Sequence, residues 1–309
     1  MNVLITGGTG FIGSHLALRC SNLGYKTTIV DREINLWEEW NSDFCKNGCS
    51  FIHDDMISEN VINRIKSKEY DIIFHQAAIP KVSYSVEHPT ETTEENVLKS
   101  VKLLEASKDN CKRFVFASSS SVYGDAKNIP TSEEDKLDPK SPYALQKKVI
   151  EEFCRLFSSL YGMDTVCLRY FNVFGPRQLG NSAYSTAISA WCHAIKNNLP
   201  LRKDGSGEQS RDMCYVDNVV QANMLAALNE KRFYGDAFNI ACNYSVSNND
   251  ILNFLQTRNK NIVIKEAPFR AGDVMHSLAS INKAKEVLNY IPEVTFWDGL
   301  EKTVNWWGI

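Results

Sequence analysis

The segment that most restricts the fold lies at the start of the chain. Val3, Leu4, Ile5 and Thr6 read as a short buried strand, and Gly7-Gly-Thr-Gly10-Phe-Ile-Gly13 follows at once, leading into an amphipathic run through Cys20. Strand, glycine turn and helix in that order open a βαβ unit. Glycines let the backbone approach a pyrophosphate, while the free N–H groups and the positive end of the helix stabilise its charge. The next apolar run, from Thr27 to Val30, ends in Asp31, at the spacing where a carboxylate accepts hydrogen bonds from an adenosine ribose. Gly7, Gly10 and Gly13 are therefore expected to cradle a dinucleotide and Asp31 to hold its ribose. Arg32 would attract the 2′-phosphate of NADP, but the acidic side chain before it repels that phosphate, so NAD is the expected cofactor.

Strands and helices alternate through the first half. Strands are expected at 2–6, 26–30, 50–53, 71–74, 112–117 and 164–170, with helices near 11–22, 60–67, 91–107 and 142–161 between them. This pattern predicts an α/β fold, a Rossmann-type doubly wound parallel sheet with a smaller C-terminal α/β lobe. After Gly175 the chain turns to loops rich in Gly, Asn and Ser, with a helix near 184–197 and the glycine loop Asp204-Gly-Ser-Gly207. A strand at 211–215, a helix at 217–228 and a strand at 238–240 are expected to return to the sheet. The expected division is residues 1–171 with about 210–241 as the NAD-binding domain, and 172–209 with 242–309 as the substrate lobe.

A chain of 309 residues can bury a large core, in keeping with two such parts. Lys and Arg number 34 against 37 Asp and Glu, a net charge of −3 that gives no argument for a nucleic-acid partner. No apolar run approaches the ~20 residues of a membrane span, and the sequence opens directly on a strand, so a cytoplasmic protein without membrane partners is expected. The nine cysteines are scattered, and Cys45 and Cys49 lack the second pair or histidine cluster of a zinc site. They are expected to be reduced thiols, with no metal bound. Trp297, Trp306 and Trp307 are expected to pack in the core.

Two further segments carry chemistry. Tyr143 and Lys147, four apart on an expected helix, share one face, so the ammonium can hold the phenolate and lower a tyrosine pKa that is ordinarily near 10. A hydroxyl from the run Ser118, Ser119, Ser120, Ser121, at the end of a neighbouring strand, can bridge tyrosine and substrate. Such a pair on a helix is by itself common. With the dinucleotide turn, it looks like a device for moving a hydride on and off a sugar.

These features, with Asp54-Asp55, His75-Gln-Ala-Ala78, Arg169-Tyr-Phe-Asn172-Val-Phe-Gly175 and Arg211-Asp212, stand in the order found in the extended short-chain dehydrogenase/reductase superfamily. The chain resembles its nucleotide-sugar epimerases and dehydratases, which keep NAD bound. The resemblance implies that Phe11 and Ile12 cover the pyrophosphate, that Asp55 and Met56 flank the adenine, and that Ala77, Ala78 and Asn96 line the inner ribose. Tyr170 is implied as a further cofactor contact, and Ser119, Tyr143 and Lys147 as the catalytic residues. Asn172, Ala187, Ile188, Trp191, Asp204, Arg211, Arg270, Asp273 and Ser277 match positions that grip a uridine diphosphate sugar in similar epimerases.

Within that family the residues after the bridging serine separate the reactions. Dehydratases resembling this scaffold place Asp and Glu there, because elimination needs an acid and a base beyond the hydride step, and the decarboxylases usually retain the Glu. This chain has Ser120 and Ser121, which favours a 4-epimerase. Epimerases restricted to glucose and galactose tend to carry a bulky Tyr at the position of Ser277; a serine leaves room for an N-acetyl group, and the strings at 169–178 and 270–278 are similar to those of bacterial UDP-N-acetylglucosamine 4-epimerases. The sequence departs from relatives at Pro80, Lys81 and Ser280. Three alternatives stay open: a UDP-glucuronate 4-epimerase, with Lys81 or Arg177 as the cation near C6, another NAD-dependent nucleotide-sugar dehydratase or decarboxylase, and a noncatalytic nucleotide-binding relative. A homodimer is expected, with helices 91–107 and 142–161 meeting their copies in a four-helix bundle.

Overall fold

The computed structural model describes residues 1–33, 44, 48–181, 185–269 and 275–309. The thirteen strands among them are β1 (Asn2–Thr6), β2 (Lys26–Asp31), β3 (Ser50–His53), β4 (Ile72–His75), β5 (Arg113–Ser119), β6 (Thr165–Tyr170), β7 (Val173–Phe174), β8 (Leu201–Asp204), β9 (Ser210–Asp212), β10 (Cys214–Tyr215), β11 (Asp236–Ile240), β12 (Ser245–Ser247) and β13 (Ile264–Ala267). Seven form one sheet in the order β11-β6-β5-β4-β1-β2-β3, with every neighbouring pair parallel. Parallel strands covered by helices on both faces read as continuous apolar runs, as in β4, Ile-Ile-Phe-His, where all four residues are buried. The chain winds outward from β1 to β3, then crosses back to place β4 on the other side of β1. That reversal opens a crevice at the carboxyl ends of β1 and β4, the place where such sheets bind ligands.

The expected helices at 11–22 and 142–161 are found as Phe11–Asn22 and Pro142–Tyr161. Pro142 stands in the first turn, where its missing N–H costs nothing, and the Ser141 hydroxyl accepts from the Ala144 amide as the cap. The helix expected at 91–107 is broken into Pro89–Thr93, a π turn at Glu94–Leu98 and Lys99–Ser107. Helices at Val82–Glu87, Asn248–Arg258, Asn282–Leu288 and Phe296–Trp307 had no counterpart in the sequence reading. The strand expected at 211–215 is divided at Met213: β9 runs antiparallel to β12, whereas β10 runs parallel to β7.

Two apolar clusters sandwich the sheet and a third fills the smaller lobe. The lobe core joins Ile188, Trp191, Met213, Tyr215, Ile251, Leu255, Phe296, Leu300 and Trp307. Helix Asn282–Leu288 does not join it: Ile281, Ala284, Leu288 and Tyr290 pack under the sheet with Phe238 and Ile240, across the boundary expected near 242. Trp307 is a core residue, as expected, but Trp297 and Trp306 are exposed. Cys20, Cys49, Cys111, Cys154, Cys167, Cys192, Cys214 and Cys242 are free thiols. No helix among the described residues is long and apolar enough to cross a membrane.

Candidate active site

The crevice over β1 and β4 is a cleft of about 980 Å³. Its floor is the glycine turn. Gly7 has φ +67°, and a Cβ there would lie 2.8 Å from the Ala77 backbone; one at Gly13 would lie 2.2 Å from the Gly7 carbonyl oxygen. Only glycine permits this tight passage from β1 into the helix. Gly10 is the N-cap residue, and no side chain caps the helix, so its first amides are left for a ligand. Phe11 and Ile12 line the cleft beside them.

Asp31, at the end of β2, accepts from the Thr9 hydroxyl at 2.7 Å and the Thr9 amide at 3.2 Å, so it is tied to the same turn. Arg32 is drawn away from any phosphate role: its guanidinium lies 2.9 Å from Glu95 and 3.7 Å from Asp55. Lys99 closes the network, 2.6 Å from Asp55 and 2.7 Å from Glu95. Burial alone would raise the Asp55 carboxyl, but the Lys99 and Ile57 hydrogen bonds and the neighbouring cations bring it below the ordinary value. This end of the cleft, with Asp31, Glu33, Asp55 and Glu95 on its wall, fits an unphosphorylated ribose. Met56 forms part of the same wall and is buried.

Ala77 and Ala78 line the cleft along the strand-end of β4, with Tyr170 opposite, its hydroxyl held by Gln76 and Asn223. Asn96, expected at the ribose, is elsewhere. It is buried behind that wall, where its Oδ1 accepts from the Ile79 amide at 2.8 Å and its Nδ2 donates to the Ile79 carbonyl and to Gln146 Oε1. The π turn carries Asn96 inward to make these bonds.

Tyr143 and Lys147 line the cleft at the far end from Arg32, on the buried face of their helix. Burial pushes the Tyr143 phenol up to about 12, opposed by its hydrogen bond with Ser119. The expected lowering by Lys147 is not seen: its Nζ lies 5.8 Å from the Tyr143 ring centre and donates to the Ala117 carbonyl at 2.8 Å. Burial in turn lowers Lys147 to about 8, with Glu151 acting the other way. Ser119 Oγ accepts from the Ser121 amide at 3.2 Å, opening the one-turn helix Ser120–Tyr123. Ser121 Oγ is buried without a hydrogen-bond partner.

The sequence reading passed over Glu151. It continues the buried stripe Tyr143, Lys147, Glu151 at intervals of four, which was the available signal. Ser118 donates to Glu151 Oε1, and Arg169 binds both carboxylate oxygens, at 2.9 and 2.7 Å. Arg169 also donates to the Tyr123 hydroxyl, which donates on to Asn239. Arg177 lines the cleft on the side of the glycine turn.

The expected sugar-nucleotide residues do not all come together. Asn172, Arg211 and Ser277 meet: Asn172 Nδ2 donates to the Asp212 carbonyl at 2.9 Å and reaches Ser277 Oγ at 3.4 Å, and the Ser277 amide donates to the carbonyl of Ser210. The Arg211 guanidinium donates to the Ser210 and Met275 carbonyls. Ile188 and Trp191 instead belong to the lobe core, with the Trp191 indole donating to the Arg202 carbonyl and Ala187 packed against them. Asp204 accepts from Arg202 at 2.7 Å. Arg270 and Asp273 lie outside the described residues.

Comparison with known proteins agrees with this arrangement. A putative UDP-glucose 4-epimerase of Methanocaldococcus jannaschii is 33% identical over 308 residues, 98% of this chain and 97% of that protein. Among solved structures, the UDP-N-acetylglucosamine 4-epimerase from Methanobrevibacter ruminantium M1, in complex with UDP-N-acetylmuramic acid, superposes with a TM-score of 0.92 at 36% identity, covering 99% of this chain and 97% of that one. The UDP-glucuronic acid 4-epimerase from Bacillus cereus, in complex with UDP-glucuronic acid and NAD, gives 0.90 at 28% identity, covering 100% and 99%. The model of the NAD dependent epimerase/dehydratase family matches residues 3–241. With a parallel sheet, a glycine turn shaped for NAD, and a buried Tyr143 and Lys147 lining the cleft beside a half-buried Ser119, this chain belongs to that family.

Proposed function

We propose that the protein is a 4-epimerase of UDP-hexoses acting on the UDP-GlcNAc and UDP-GalNAc pair. The observation that carries the reaction type is the turn after β5, which offers Ser119, Ser120 and Ser121 beside Tyr143 and no carboxylate. Elimination of water needs an additional acid and base. Epimerisation needs one group that takes and returns a proton, and a hydride acceptor. Glu151 does not supply the missing acid, because Arg169 and Ser118 already engage it in a buried network.

NAD, when bound, supplies the acceptor for the C4 hydride and returns it to the opposite face of the sugar. Tyr143 removes the proton from O4, through or beside Ser119, and gives it back when the sugar is re-formed. Its base form has to be stabilised by positive charge, since burial alone holds the phenol near 12. Lys147, one helical turn on, with its Nζ 5.8 Å from the Tyr143 ring centre, is assigned that charge in this reading. Gly7, Gly10, Phe11, Ile12, Gly13 and Asp31 hold the dinucleotide, with Asn172, Arg211 and Ser277 beside the sugar nucleotide.

For the sugar, the small Ser277 beside Asn172 leaves room for a substituent at C2. The similarity to the M. ruminantium UDP-N-acetylglucosamine 4-epimerase supports the same choice. Exposed Leu98, Leu145, Leu156 and Leu160 on the two helical segments expected to meet their copies support a homodimer.

Incubating the purified protein separately with UDP-GlcNAc, UDP-glucose and UDP-glucuronate, without added cofactor, tests the proposal. The expected result is the C4 epimer of UDP-GlcNAc, with no net reduction of NAD. Stoichiometric NADH would make the protein a dehydrogenase, and turnover of UDP-glucuronate alone would replace the N-acetyl reading.

A further inference from the structure

Arg177 adopts φ +66°, a backbone conformation that residues other than glycine seldom hold. It is 9% exposed, and its guanidinium carbon lies 5.9 Å from the centre of the Phe44 ring. The chain leading into this residue is fixed. A Cβ at Gly175 would lie 2.6 Å from Val216 Cγ1, so only glycine allows the preceding turn. The Pro176 carbonyl lies 2.9 Å from His15 Nε2. A carbonyl only accepts, so Nε2 carries the proton, and burial moves His15 toward its neutral form, with the nearby Arg177 charge acting in the same direction.

His15 stands one turn inside the helix that begins at Phe11. Its bond to Pro176 therefore fastens Gly175, Pro176 and Arg177 to the glycine-turn helix rather than to the Tyr143 end of the cleft. Phe44 belongs to the apolar cluster that also holds Leu16, Ala17 and Cys20 of that helix and Ile29 of β2. Arg177 lines the cleft together with Gly10, Phe11 and Ile12.

We propose that Arg177 is a cofactor-binding residue that clamps the diphosphate of NAD against the uncapped helix end at Gly10. A guanidinium offers paired N–H donors to a diphosphate, and its burial strengthens those bonds. The helix end supplies donors from one side and Arg177 from the other. The clamp comes from the segment that continues into the substrate lobe. A catalyst that takes a hydride and returns it must retain its cofactor while the sugar turns, and this residue would provide the retention. The proposal depends on NAD as the cofactor and not on the identity of the sugar.

The test uses the full chain with Arg177→Met and Arg177→Lys, stripped of nucleotide and titrated with NAD, ADP-ribose and adenosine by calorimetry and ligand-observed NMR, with no sugar present. Arg177→Met is expected to weaken NAD and ADP-ribose by about ten- to a hundredfold while leaving adenosine within about threefold, and Arg177→Lys to fall between. NAD recovered from the freshly purified protein should drop in the same order. Unchanged NAD affinity would overturn the proposal. Equal losses for ADP-ribose and adenosine would mean a structural role. A rise confined to the KM for UDP-GlcNAc or UDP-glucuronate at saturating NAD would assign the arginine to the substrate. If Arg177→Met does not fold, Arg177→Lys alone decides, since it keeps the charge and loses the paired donors.

Discussion

The Lys147 ammonium donates to the carbonyl oxygen of Ala117 at 2.8 Å, across the joint between the helix Pro142–Tyr161 and β5. The lysine is buried, and desolvation brings it down to about 8. A lysine with a lowered value binds fewer protons in the folded state than in the unfolded chain, so stability should rise with pH between about 8 and 10.5. Below that window the buried charge costs up to about 3 kcal/mol. Lys147→Met is therefore expected to stabilise the nucleotide-free protein at pH 7 by about 1–2 kcal/mol, after allowing for the lost bond to Ala117, while turnover falls by about two to four orders of magnitude. Urea melts set beside sugar turnover check it; a destabilised variant would mean that the lysine serves the fold.

Asn96 makes the opposite prediction. Its amide closes three hydrogen bonds, two to Ile79 and one to Gln146, and Gln146 goes on to the hydroxyls of Thr92 and Thr93. These bonds tie the cleft wall at Ile79 to the residue beside Lys147. Asn96→Ala leaves both Ile79 backbone groups without their partner and should cost about 2–4 kcal/mol. The loss should be equally large with and without saturating NAD. A residue that touched the ribose would instead show its main effect in NAD affinity.

The contrast between Asn96 and Gly13 shows what could be read from the chain. Gly7, Gly10 and Gly13 were legible because a tight strand-to-helix turn admits no other residue at two of these points, and the demand is local. Tyr143 and Lys147 were legible because their spacing sets them on one face. Asn96 was placed at the ribose by the resemblance alone, and the π turn at Glu94–Leu98, which turns its amide toward Ile79, has no distinct local signature to set against it. Ile188 and Trp191 were likewise placed at the substrate by the resemblance; an apolar helix face does not say which side it packs against, and here it packs into the lobe core. The helix at Val82–Glu87 is six residues long, too short for a periodic pattern to reveal.

Ser277 controls the width of the sugar site under the proposed function. Its hydroxyl lies 3.4 Å from Asn172 Nδ2, so a larger side chain there would project toward the sugar nucleotide or displace the asparagine. Ser277→Tyr is expected to lower kcat/KM for UDP-GlcNAc by at least about a hundredfold while UDP-glucose loses less than about tenfold. Measuring both substrates in parallel separates a steric wall from general damage. Equal losses would show that the C2 substituent points elsewhere.

His75 sets the response of the fold to acid. Ser100 gives its hydroxyl proton to the Asn96 carbonyl, so its oxygen accepts from His75 Nε2, and Nδ1 is left to accept from Thr6 at 2.8 Å. Both ring nitrogens are thus committed with the imidazole neutral, and burial, with the Lys147 charge, lowers it to about 3. The unfolded chain takes up this proton near pH 6.5 while the native state does not, so the stability is complete above about 6.5 and is lost as pH falls toward about 3. Asp212, raised to about 6 by burial despite accepting the Cys242 and Ala279 amides, acts in the opposite sense over part of that window. It remains in a His75→Gln variant and cancels from the comparison. The variant should be less stable than the parent at pH 7, because glutamine cannot place two groups where the ring nitrogens stand. Below pH 6 the gap should narrow by about 1.4 kcal/mol per pH unit, since only the parent has the one-proton slope. Urea unfolding at pH 7, 6 and 5 measures that gap, and a constant gap would place the acid sensitivity on groups other than His75.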